Sequence, residues 1–146
     1  MNFVLPFVAG VVAAVVNIAV TRLLPRQRAA EFYNLFMAAT AAFYFGSALP
    51  AGNPRTLALE IAVSGALFAL AVAGQWWSLK FTAAAFLAHG AWDLAHVVMG
   101  VGADAGANFP ILCVAYDWVI AGYLWWMASA DGKENGRPPQ ISRGGH

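Results

Sequence analysis

Five stretches of about twenty apolar residues, parted by short polar turns, constrain this chain more than any other feature of it. An α-helix rises about 1.5 Å per residue and closes its backbone hydrogen bonds internally, so a run of that length matches the hydrocarbon core of a bilayer, about 30 Å thick. The runs cover about 2–24, 29–49, 56–77, 81–100 and 109–130 and stop at PRQR, at PAGNPR, at a polar break around Ser78 and Lys80, and at the loop GVGADAGAN. Composition agrees: 61% of the residues are hydrophobic, 10% are charged and the mean hydropathy is +0.64, outside the range of soluble domains. The expected fold is all-α, a polytopic membrane bundle of five transmembrane helices within residues 1–130, followed by a disordered tail over 131–146 that is too polar to fold. The first run lacks the charged start of a signal peptide and exceeds its usual apolar length of about 7–15 residues. The spans share length but no pattern, which argues against an internal repeat. The net charge of +1 comes without a basic block, so no nucleic-acid partner is expected, and the single Cys113 excludes an intrachain disulfide.

Charge fixes an orientation. Arg22, Arg26, Arg28, Lys80, Lys133, Arg137 and Arg143 fall on one side of a five-span arrangement and Arg55 alone on the other. Because Lys and Arg are retained in cytoplasmic loops, the N-terminus is expected outside and the tail in the cytoplasm. Trp76, Trp77, Trp125 and Trp126 fall at the cytoplasmic ends of their spans, at the headgroup level that tryptophan prefers.

Within the fourth span, HGAWDLAH places His89, Asp93 and His96 at i, i+4 and i+7, one stripe of a helix. The helical rise puts His96 about 6 Å, Asp93 about 10 Å and His89 about 16 Å below the outer end; Glu60 and Tyr44 fall at about 6–7 Å and Asp117 at about 12 Å. An unpaired charge at the centre of a membrane helix costs about 2.5–3.5 kcal/mol. Three carboxylates should therefore converge with the histidines on one inward-facing cavity, with His89 at its floor. Asn17 and Asn34 share a deeper level, about 21–22 Å down, and are expected to bridge the first two helices. Glu31 lies beside basic residues at the cytoplasmic interface. Cys113, Tyr116, Trp118 and the phenylalanines of the second span read as packing or lipid-facing side chains.

HGAWDLAH, then Asn108 to Pro110, then CVAYDWVIAGYLW resembles a bacterial five-helix membrane family known as domain of unknown function 6010. The positions that carry the likeness are His89, Trp92, Asp93, His96, Cys113 and Asp117, with weaker matches at Asn34 and Glu60, over roughly residues 26–126. Val97 stands where the family pattern has a second adjacent histidine. The resemblance implies a multi-pass protein of the cell inner membrane and supplies no activity.

The residue types themselves suggest three chemistries. Two imidazoles and a carboxylate with an open position form a catalytic zinc set, and further carboxylates suit iron or a two-metal site. His89, Asp93, His96 and Asp117 are the candidate ligands of a divalent metal such as zinc or iron. Asp93, Asp117 and Glu60 are the candidate catalytic groups for hydrolysis or isomerisation of an apolar small molecule taken from the lipid bilayer. The same groups could instead carry protons or a solute in a small transporter acting as a homo-oligomer, or they could only specify helix packing in a structural or partner-binding membrane protein. Haem fits poorly, since His89 and His96 share one helix and cannot take opposite axial positions.

Overall fold

A computed structural model describes residues 3–49, 53–100 and 108–134, apart from the side chains of residues 44, 45, 47, 48 and 131–134. It contains five helices: α1 (Val4–Thr21), α2 (Arg26–Ala48), α3 (Pro54–Trp76), α4 (Leu79–Met99) and α5 (Asn108–Glu134). Their boundaries follow local chemistry. The Asn53 side chain accepts from the backbone N–H of Arg55 at 2.9 Å, and Pro54 opens α3 where a missing N–H costs nothing. Ser78 caps α4 in the same way, accepting from the N–H of Lys80 at 3.3 Å. Gly100, at φ +62°, ends α4 in the left-handed conformation that side chains resist. The chain is thus all-α, and among the described residues there is no strand. α5 is helical to Glu134, four residues past the expected end of the bundle at 130. Residues 135–146, where the rest of the tail was expected, lie outside the described residues.

Three of the five helices, Val4–Thr21, Pro54–Trp76 and Asn108–Ala130, are long and apolar enough to cross a membrane. α2 and α4 are as long, but Arg26, Arg28 and Glu31 dilute the first, and Lys80, His89, Asp93 and His96 the second. Of the five spans expected from the sequence, three are thus long and apolar enough to cross a membrane and two fall short by their polar residues. Large aliphatic side chains such as Leu5, Val16, Leu35 and Val98 stand more than half exposed, an outward surface suited to lipid.

The helices pack as an open arc, α2 on α3, α3 on α4, α4 on α5 and α5 on α1, with α2 also touching α4. Tyr33, Met37, Phe86, Ile120 and Leu124 fill the centre. α1 runs parallel to α5: Gly10 lies against the Leu112 carbonyl, and a side chain there would collide with it. Further along, the Arg22 guanidinium sits 5.6 Å from the Tyr123 ring centre and 5.8 Å from that of Trp126. The two ends of the arc, α1 and α2, follow one another in sequence and are joined by a hydrogen bond between Thr21 and Tyr33 hydroxyls at 2.8 Å. Arg22, Arg26 on the Met127 carbonyl, and Lys80 at 5.5 Å from the Trp125 ring gather basic and aromatic groups at one end of the bundle.

Candidate functional site

The α4 stripe meets carboxylates at two levels. His89, Asp93 and Asp117 are 2%, 0% and 3% exposed, so their polar atoms must satisfy one another. His89 Nδ1 lies 2.5 Å from Asp117 Oδ2 and 3.6 Å from Asp93 Oδ2. The next residue, Gly90, allows α4 and α5 to approach this closely, since a Cβ there would come within 2.7 Å of the Trp118 ring nitrogen and 3.3 Å of Asp117 Cβ. Cys113, one turn before Asp117 on α5, lines the same cleft as Asp117 and His89. One potential metal-ligand atom from each of His89, Asp93 and Asp117 falls within 4.8 Å of the others.

That spacing suits a metal. Two ligand atoms about 2.0–2.1 Å from one tetrahedral zinc lie about 3.3 Å apart. The 3.6 Å His89–Asp93 separation therefore fits as it stands, and the 2.5 Å His89–Asp117 contact must open by about 0.8 Å. Charge favours the same occupant. A neutral imidazole with two carboxylates carries −2, which a divalent cation cancels, whereas without one the cluster must take up protons to become neutral.

Toward the opposite end from the basic belt, Glu60 of α3 receives the other histidine. His96 Nε2 lies 3.0 Å from Glu60 Oε1, Trp92 Nε1–H donates to Glu60 Oε2 at 3.2 Å, and His96 Nδ1 lies 3.0 Å from the Trp92 carbonyl. A carbonyl only accepts, so Nδ1 carries a proton. Nε2 then either donates to the carboxylate or accepts from a carboxylic acid. In both forms the two side chains share one proton and have no net charge between them.

The single cavity expected from the sequence is therefore two clusters. Asp93, His89 and Asp117 come together; Glu60 and His96 come together beside them, and His96 Nε2 is turned to Glu60 rather than to the other three. Tyr44, expected at the same level, has its side chain outside the described residues. The expected Asn17–Asn34 bridge does not form. Asn34 instead donates to Gln75 Oε1 at 2.7 Å and accepts from the Thr82 hydroxyl, joining α2 to α3 and α4, while Asn17 Oδ1 is buried with no hydrogen-bond partner among the described residues. Gln75 and Thr82 flank the α3–α4 turn at the level of Asn34, a match the sequence already contained. Trp92 is a contact that the stripe of ionisable residues does not reveal, although it lies between two of them.

A cleft of about 470 Å³ opens beside the first cluster, within the range of small-molecule sites. His89, Asp117 and Cys113 stand at its polar side; Phe36, Phe43 and Phe109 are among its apolar walls. Phe36 and Phe43 of α2 thus line a cleft as well as pack.

No curated protein and no solved structure matches the chain. Its sequence fits a family profile over residues 5–130, further at both ends than the likeness over 26–126: the chain belongs to the family of unknown function (DUF6010).

Proposed function

We propose that this protein is a multi-pass membrane enzyme in which His89, Asp93 and Asp117 hold a divalent metal such as zinc or iron, and that it hydrolyses or isomerises a lipid-like molecule. One observation carries this reading: an imidazole and two carboxylates, buried and drawn from two helices, converge within 4.8 Å beside an apolar cleft. A divalent ion supplies Lewis acidity and lowers the pKa of water bound to it. Asp93 and His89, one turn apart on α4, provide two ligand atoms, and Asp117 supplies the third from α5. His89, Asp93 and Asp117 would hold the ion, and because their ligand atoms must be unprotonated to bind it, the proton that His89 and Asp117 now share would be given up. Glu60, holding His96 and Trp92, positions α3 against α4. All five helices cross the bilayer in this reading, with the basic, tryptophan-rich end in the cytoplasm and the N-terminus outside, in the cell inner membrane.

Metal analysis of detergent-purified protein tests the proposal. A stoichiometric divalent ion that is lost in His89→Ala and Asp93→Ala is the expected result. A folded protein that neither contains zinc, iron or manganese nor takes them up on addition overturns it. The proton shared by Glu60 and His96 favours a second reading, proton-coupled transport by a homo-oligomer; it predicts proton flux in sealed vesicles that stops in Glu60→Gln.

A further inference from the structure

We infer that the gap between α2 and α5 is a window in the membrane-facing wall, through which a single apolar chain bearing a small uncharged polar group reaches His89 and Asp117 sideways from the bilayer. Two mirrored triplets frame it. α2 presents Phe36, Thr40 and Phe43, and α5 presents Phe109, Cys113 and Tyr116, each at i, i+4 and i+7 and all lining the same cleft. Phe36 meets Tyr116 with ring centres 5.8 Å apart, and Phe43 meets Phe109 at 6.5 Å. Seven residues of helix separate the two rungs on each side, about 10 Å. Between the rungs, among the described residues, the cleft is lined by Thr40 and Cys113, with Ala39, Leu112 and Ala13 of α1 beside them. α2 and α5 meet through these rings rather than by close backbone packing, so the space between rungs is not closed by the helices themselves.

The occupant follows from what lies on either side. Outside, the window is continuous with exposed apolar faces, Val12 and Val16 of α1 and Phe43 of α2, which a bilayer would cover with hydrocarbon. Inside stand a carboxylate and an imidazole. Asp117 is nine residues from the start of α5 and His89 ten from the end of α4, about 13–15 Å from the helix ends and near the middle of a core about 30 Å thick. A phosphate-bearing headgroup would have to be drawn to that depth at the cost of burying its charge. An alcohol, aldehyde, ester or amide on one chain would not. This assignment of substrate class rests on the enzyme reading, whereas occupancy of the window can be measured without turnover.

The experiment uses the full chain in phosphatidylcholine nanodiscs and two photoreactive probes: hexadecanol with a diazirine near its hydroxyl end, and phosphatidylcholine with a diazirine in one acyl chain. The alcohol should label the peptides holding Thr40 and Cys113, and unlabelled hexadecanol should compete. Ala39→Trp and Ala13→Trp, each placing an indole in the cleft from a lipid-exposed position, should lower that labelling about tenfold, with bound metal and helix content kept. The phosphatidylcholine probe should label the outer faces of the helices and spare these peptides. Labelling that hexadecanol does not displace, equal labelling in both tryptophan variants, or equal labelling by phosphatidylcholine overturns the window. Competed, variant-sensitive labelling of a protein that binds no metal keeps the window and removes the metal enzyme; bound metal without such labelling does the reverse.

Discussion

The two histidines of the α4 stripe are seven residues apart on one face, yet they end in different company. Among the described residues His96 meets one carboxylate, which an indole also holds, and the histidine and carboxylate share one proton. His89 meets two carboxylates, so the group carries more negative charge than its own imidazole can offset, and it borders a cleft. The first arrangement is what helix packing in a membrane requires. The second, with one carboxylate more than its histidine can pair, is the arrangement proposed above to hold an ion. Burial alone would not have told them apart, because Glu60 and Asp93 are equally inaccessible.

The comparison can be broken by mutation. Glu60→Ala removes one partner of the Glu60–His96 pair and leaves a buried histidine facing a void; a loss of about 3–5 kcal/mol in unfolding stability is expected, with metal content unchanged. Loss of metal at full stability would exchange the roles of the two clusters. Asp117→Asn keeps the shape and removes the charge, so metal affinity should fall by at least the roughly 10–100-fold that losing an outer partner of a metal ligand costs, while the circular dichroism spectrum stays that of the parent. Unchanged affinity would take Asp117 out of the site and leave the α4 residues to act alone. The smallest effect is expected at Trp92→Phe, which deletes one N–H donor to Glu60. It should cost about 0.5–1.5 kcal/mol and leave metal binding untouched; a change in affinity would mean that the two clusters are coupled.

The helices were legible because apolar length and polar punctuation act locally: each element begins and ends within a few residues of its run, as at Asn53, Ser78 and Gly100. The stripe of His89, Asp93 and His96 was legible from helical periodicity alone. Depth was legible as well, and it already set Glu60 level with His96. The direction each helix turns about its own axis was not. That angle is decided by packing, where Gly90 brings α5 against His89 and Asn34 finds Gln75 and Thr82 on its own side of the bundle. Depth does not say which neighbour a residue faces: Glu60 reaches α4 from α3 and Asp117 from α5, which makes one expected cavity two clusters, and Asn34 turns to α3 and α4 rather than to α1. The mirrored aromatic triplets were in plain view in the sequence but acquire meaning only when α2 and α5 face each other.

Chain order along the arc also sets an order in time. Glu60 and His96 sit on consecutive helices and can find each other as soon as α4 has been made. His89 and Asp93 must wait for α5, which follows α4 in the chain, before Asp117 arrives. α1 waits longest, since its principal partner is also α5. It is the most hydropathic of the three strongly apolar helices, with only 17% of its span buried in the finished bundle, and so can remain alone in lipid in the meantime. Chain order thus allows α3 and α4 to pair before the carboxylate cluster, which needs Asp117 of α5, can be complete.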